Sequence, residues 1–148
     1  MDRKSGTTPQ RFAIRFNRYL DAESLAVPGV TFYSLQKGEA EQAKAASLIA
    51  FPEEIESLDD TSGLLCSMDL VISTDCVVSH LAGALNIPTW VLIQSDEPYW
   101  VWGKTGNTSI WYPNARLFRQ RRRDCWGAVF HKMRLALEEV VAQRARKE

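Results

Sequence analysis

The sequence predicts one α/β domain built on a parallel sheet, and three observations carry that expectation. Two short apolar runs, Asp69-Leu-Val-Ile-Ser73 and Thr89-Trp-Val-Leu-Ile-Gln94, flank a helical stripe of Val78, Leu81, Ala82 and Leu85. Strand, helix and strand in 26 residues make a βαβ unit, and strands apolar along their length suit a sheet covered on both faces. The closing segment reads as a long amphipathic helix, with Trp126, Val129, Phe130, Met133, Leu137, Val140 and Val141 on one side.

The remaining elements follow in chain order. Thr8 and Pro9 form a helix-start signal, and Phe12, Phe16, Tyr19 and Leu20 recur at helical spacing behind it. Pro28-Gly29 ends that region, and Val30–Leu35, rich in β-branched and aromatic residues, reads as a strand. Residues 39–46 favour helix by propensity. Leu48–Phe51 reads as a short strand stopped by Pro52, and Asp59 or Asp60 as the cap of a short helix through Leu64, Leu65 and Met68. Asn86 and Pro88 end the helix of the βαβ unit. Arg116–Phe118 is a last short strand, and Asp124 caps the closing helix. No internal repeat and no long linker divides the chain, so residues 1–148 are expected to form a single domain.

Composition excludes several classes. With 45% hydrophobic and 24% charged residues, 8 Gly and 6 Pro in 148, the chain is neither disordered nor collagenous. No apolar run approaches the roughly 20 residues of a membrane span, and no apolar segment follows the charged N-terminus as in a secretory signal. Cys66, Cys76 and Cys125 are too few and scattered for a disulfide framework or a zinc site. A reduced, cytoplasmic protein without a metal is expected.

Net charge is zero, 18 basic against 18 acidic residues. Residues 1–18 nevertheless carry a net +4, residues 19–114 a net −10 and residues 115–148 a net +6. The ends complement the middle, and general nucleic-acid binding is not expected.

The residues that carry chemistry lie where a strand gives way to a helix, at Ser73-Thr-Asp-Cys-Val-Val-Ser-His80. Ligands of open α/β sheets bind outside the carboxyl ends of the strands, and free N–H groups at a helix start favour a phosphate. At roughly 100° per residue, Cys76, His80 and Gly83 fall opposite the apolar stripe. The plainer alternative is that Thr74 or Asp75 caps the helix and His80 is a surface residue. Cys76 and His80 are also four residues apart, a pairing more often coincidence than a nucleophile with its base.

The run from Asp69 through Ser-Thr-Asp-Cys-Val-Val-Ser-His-Leu-Ala-Gly-Ala-Leu-Asn-Ile-Pro-Thr to Ile93 resembles a segment of glycosyltransferase family 9. That family comprises the ADP-heptose:lipopolysaccharide heptosyltransferases and relatives fused to tetratricopeptide repeats. Phe32-Tyr-Ser-Leu-Gln-Lys-Gly38 and Trp111-Tyr-Pro-Asn-Ala-Arg-Leu-Phe-Arg-Gln120 resemble the repeat-fused relatives, as does Trp126 opening the last helix. The resemblance spans roughly residues 28–140. It implies a Rossmann-like, three-layer domain corresponding to the C-terminal, donor-binding half of a GT-B enzyme. Such an enzyme transfers a sugar from a nucleotide donor with inversion and without an essential metal.

Carried over by position, the resemblance implies that Asp75, Cys76, Val77, Val78 and His80 lie against the donor diphosphate. Lys37, after a strand, is a candidate point charge for a phosphate or a solvated loop lysine. Two positions depart from the family: its Thr after the Asp is Cys76, a weak thiol donor, and the next residue, often Gly, is Val77, whose branched side chain crowds the approach. The family's acceptor domain, which holds its catalytic base, has no counterpart here, and nothing before Thr8 reads as the strand that opens the donor domain. No catalytic residue is therefore assigned, and the chain alone is not expected to catalyse transfer. The missing strand would also leave an open edge, covered by a separate partner domain, a second copy or the N-terminal segment.

Residues 95–114 form a long loop holding Tyr99, Trp100, Trp102, Trp111 and Tyr112. Trp100 and Trp102 are candidates to stack on a nucleobase or sugar, the alternative being rings packed on the domain itself. Arg116, Arg119 and Arg121-Arg-Arg123 form a basic cluster, read as a solvated turn or as a phosphate-facing or interface patch. The expected function is nucleotide-sugar or nucleoside-diphosphate binding by a heptosyltransferase-like donor domain. The rival is a degenerate, non-catalytic interaction domain working through loop 95–114.

Overall fold

Gln10–Ile14 (β1), Val30–Ser34 (β2), Ile49–Ala50 (β3), Leu70–Thr74 (β4), Thr89–Ile93 (β5) and Ala115–Arg119 (β6) form one sheet in the order β3-β2-β1-β4-β5-β6. Every pairing in it is parallel. The helices are α1 (Leu58–Cys66), α2 (Val77–Ala84) and α3 (Gly127–Ala145). The computed structural model describes residues 9–14, 23–36, 48–50, 55–96, 98–123 and 125–147. The arrangement is α/β and Rossmann-like, as the sequence predicts, with strands at Val30, Leu70 and Thr89 running parallel. Among the described residues no helix is long and apolar enough to cross a membrane.

The period of two along each strand sorts the core into two layers. Phe12, Ile14, Leu70, Ile72, Trp90, Leu92 and Phe118 point to one face and meet Val129, Phe130, Met133 and Leu137 of α3. Met133 and Leu137 are fully buried, and each such side chain contributes about 1.5–3 kcal/mol. On the other face Ala13 and Val71 meet Leu65 of α1 and Val78 and Ala82 of α2. Val91, Ile93, Ala115 and Leu117 on that face are covered by Trp102.

The first element overturns the sequence reading. Gln10–Ile14 is a strand, not the start of a helix, and it lies at the centre of the sheet between β2 and β4. The first described element is thus a strand, where the sequence predicts none. Phe12, Ala13 and Ile14 are all completely buried, so beyond the exposed Arg11 the strand shows no alternation. In five residues its apolar spacing fits a helix as well as a strand, and long-range pairing decides. Thr8, Phe16, Tyr19, Leu20, residues 39–46, Phe51 and Asp124 lie outside the described residues, and the N-cap of α3 is Trp126 rather than Asp124.

The helix boundaries have local causes. Ser57, rather than Asp59 or Asp60, caps α1: its Oγ accepts from the Asp60 N–H at 3.1 Å, and the Asp60 carboxylate accepts from the Ser57 N–H at 2.9 Å. Helix α2 ends in a Schellman motif, Ile87 N–H to Ala82 O and Asn86 N–H to Gly83 O, with Asn86 left-handed at φ 58°. The free side of β6 is partly occupied by Asn107 and Thr108, through Leu117 N–H to Asn107 O at 2.8 Å and an antiparallel bridge to Arg116. With β1 central, the edges are β3 and β6, and no edge is left by a missing first strand.

Candidate functional site

The strand order reverses between β1 and β4, and α2 starts directly after β4, so its N-terminus stands at the switch point of the sheet. Ser73 is fully buried and its Oγ lies 3.2 Å from Cys76 Sγ. Cys76 is the N-cap, with extended backbone (φ −160°). Ser79 Oγ accepts from the Cys76 N–H at 3.3 Å and donates to the Cys76 carbonyl at 2.7 Å. Neither Thr74 nor Asp75 is the cap. The Val77 and Val78 N–H groups meet no partner among the described residues. They are the orphan donors of a helix start, at the positive end of its dipole.

The side chains of the motif divide between two directions. Val78 is 3% exposed and packs into the core, so only its backbone faces the site, whereas Val77 is 54% exposed. Val77 lines a cleft of about 320 Å³ bounded by Leu35 and Gln36 after β2 and by Ile55, Ser57 and Leu58 at the start of α1. The cleft therefore adjoins the free N–H groups of α2. Its α1 wall escaped the sequence reading, although the signal is there: Ser57-x-x-Asp60 before an apolar run is a capping-box pattern that fixes where α1 begins.

His80 faces away from the sheet but is not a free surface residue. Its Nε2 lies 3.5 Å from an Asp75 carboxylate oxygen and its Nδ1 3.0 Å from the Tyr112 hydroxyl. Its ring stacks on Trp102 at 5.0 Å and meets Tyr99 edge-on at 6.1 Å. Gly83, one turn on, has the Tyr112 ring so close that a Cβ there would sit 2.5 Å from it. The polar face of α2 is thus the seat of the aromatic loop, and Cys76 pairs with Ser73 rather than with His80.

Of the two candidate stacking rings, Trp100 is 64% exposed and Trp102 is 1% exposed. Trp102 is therefore a core residue of the loop, with one face taken by His80, and is not open to a ligand. Tyr99 and Trp111, 50% and 60% exposed, extend the surface around Trp100, which meets Trp111 at 5.7 Å. The loop is held in shape by Arg119, whose guanidinium donates to the carbonyls of Trp102, Gly103 (3.1 Å) and Gly106 (2.6 Å). Burial pushes the Arg119 pKa down from its ordinary value. Arg119 belongs to this internal clamp and not to a solvated turn. Lys37 lies outside the described residues. Among them no group of three or more His, Cys, Asp or Glu side chains is placed to hold a metal ion.

No family model matches the chain. It is similar to protein FlbA of Caulobacter vibrioides. The two are 30% identical over 128 residues, a stretch that covers 80% of this chain and 21% of that protein. The chain thus spans 21% of the length of the curated relative it matches.

Proposed function

We propose that this chain is a nucleotide-sugar donor-binding domain of GT-B type, related to glycosyltransferase family 9. The observation that carries the reading is the junction of the 320 Å³ cleft with the unpartnered N–H groups of Val77 and Val78 at the switch point of a parallel sheet. A diphosphate at the helix start takes those donors and the helix dipole. The nucleoside then enters the cleft, between Ile55 and Leu58 on one side and Val77 on the other. A cleft of this size is at the lower end of the range for small-molecule sites. The central β1 supports the reading, since the family resemblance implies a domain that opens with a strand. Asp75 and His80 form the rim, and the sugar extends toward Trp100.

Calorimetry with ADP, UDP, GDP and their sugar conjugates tests this. Saturable binding of at least one is expected, and Val77→Glu, which sets a carboxylate beside the diphosphate, should weaken it by roughly tenfold or more. Cys76→Thr should strengthen it by about threefold to tenfold through a better donor. If no diphosphate binds, or Val77→Glu binds as well as the parent chain, the donor reading is wrong. Binding without turnover is expected of this chain. His80, the imidazole of the site, has Asp75 and Tyr112 on its two ring nitrogens, so it is already committed to holding the loop. Sugar transfer by the purified chain, lost in His80→Ala, would overturn that expectation.

A second reading rests on a separate observation. Tyr99, Trp100, Ile110 and Trp111 are each at least 50% exposed on one loop, and contiguous apolar surface of this kind marks interaction sites. The domain would then work as a non-catalytic interaction module, and Trp100→Ala with Trp111→Ala would abolish association while nucleotides had no effect.

A further inference from the structure

The basic cluster of β6 and the segment after it has a role that donor binding does not absorb. Arg123, Arg134 and Arg144 pair with Asp96, Glu138 and Asp69, and Arg119 is tied to loop carbonyls. Arg116, Arg121 and Lys132, all exposed, have no carboxylate partner among the described residues. These three line one groove of about 440 Å³ between β6 and α3, on the sheet face opposite α1 and α2. A second cavity of about 470 Å³ shares Arg121, Val129 and Lys132 with it and adds Arg122. Three like charges in a groove that holds only Glu139 against them repel one another, and an anion laid among them removes that repulsion.

The groove selects the kind of anion. The Arg116 guanidinium lies over the rings of Phe118 and Trp90, 4.9 and 5.6 Å from their centres. Stacking fixes its plane and leaves its N–H fork free for a carboxylate or phosphate. Both rings are 6% exposed, so no base can stack on them, which removes the usual platform for a single-stranded nucleic acid. Leu135 is 48% exposed along the same wall, and a small free anion would leave it uncovered. From Val129 to Glu139 the α3 wall runs for about 15 Å, the reach of roughly five extended residues. Glu139 closes one end with the opposite charge.

We propose that this groove docks an acidic segment of a partner polypeptide, its carboxylates on Arg116, Arg121 and Lys132 and an apolar side chain on Leu135. The site is remote from the start of α2 and stands or falls independently of the donor reading. Fluorescence anisotropy with a labelled peptide of alternating Glu and Leu tests it on the full chain. Saturable, salt-sensitive binding is expected, with no binding of the matching Gln and Leu peptide. Arg116→Gln with Lys132→Gln should weaken binding by roughly tenfold or more, and Leu135→Asp should weaken it in an otherwise intact groove. Both variants alter exposed side chains, and an unchanged melting temperature confirms that they fold. Val77→Glu should bind the peptide as the parent chain does. Failure of the acidic peptide to bind, equal binding of the Gln peptide, or undiminished binding by the groove variants overturns the proposal. Tighter binding of oligothymidylate would make the groove a nucleic-acid site. A salt-sensitive dimer lost in the same variants would place a second copy there, and either result also overturns it.

Discussion

At the scale of single residues, the end of α2 rests on Asn86, which stands in the left-handed region that side chains other than Gly rarely adopt. Its amide offsets part of that cost: Asn114 Nδ2 donates to the Asn86 carbonyl at 2.8 Å and to its Oδ1 at 2.7 Å. Asn86→Ala keeps the strain and removes the side-chain acceptor, so it should destabilise the fold by about 1–2 kcal/mol. Asn86→Gly relieves the strain but gives up the same acceptor, and should be close to neutral. Urea denaturation of the two variants checks the ranking, and an Ala variant as stable as the Gly variant would mean that backbone strain contributes nothing here. Trp102 is the other residue whose environment sets its role. Its indole Nε1 is buried without a partner among the described residues, an arrangement that disfavours burial unless packing outweighs it. The packing is supplied by His80, Val91, Ile93 and Leu117.

At the scale of elements, the decisive contact is between α2 and the aromatic loop. Periodicity correctly set His80 and Gly83 off the sheet side of α2, but it says nothing about what covers that side, because the covering residues Tyr99, Trp102 and Tyr112 are 19 to 32 positions from His80. Gly83 carries the consequence. Any side chain there meets the Tyr112 ring, 2.5 Å from an added Cβ, and Tyr112 is also the hydroxyl partner of His80. Gly83→Ala should therefore cost about 1–3 kcal/mol by overpacking, although alanine is the better helix former. In a Tyr112→Ala background the same change should be neutral or stabilising. A double-mutant cycle by thermal denaturation measures this, and additive effects would show that the loop does not seat on Gly83. The βαβ unit and α3 were legible because each carries a long, consistent pattern. The capping box of α1 was legible in Ser57-x-x-Asp60 but was masked by two neighbouring acids that cap equally well on paper. β1 was not legible, since the burial of Phe12, Ala13 and Ile14 alike breaks the alternation, and its partners lie 20 and 58 residues away (Gln10 with Val30, Phe12 with Leu70). The cleft was invisible for the same reason, its walls coming from three separate stretches of chain.

At the scale of the whole molecule, the charge pattern read from the sequence has one structural expression in Asp69. This residue opens the run that resembles glycosyltransferase family 9, yet it stands at the opposite end of β4 from the candidate site. Its Oδ2 accepts from the Arg11 N–H at 2.8 Å, and its Oδ1 pairs with the Arg144 guanidinium at 2.6 Å. It thereby ties the central pair of strands to the last turn of α3, joining the two basic ends of the chain to the acidic middle. Partial burial by itself would raise the Asp69 pKa, but the Arg11 N–H and the Arg144 charge outweigh it, so the carboxyl titrates below its ordinary 3.8. The folded state thus binds this proton less readily than the unfolded chain. The resulting stabilisation is complete above the unfolded value and is lost as pH falls through the folded one. Because the pair is partly open to water, its worth is discounted to about 1 kcal/mol. Asp69→Asn should therefore be less stable than the parent chain by about that amount at pH 7, with the gap closing as pH falls below 3.8. Raising salt at pH 7 should narrow it as well. Denaturation midpoints of the two chains across that pH range decide the matter, and a gap that persists undiminished in acid would mean that Asp69 acts through packing and hydrogen-bond geometry and not through its charge.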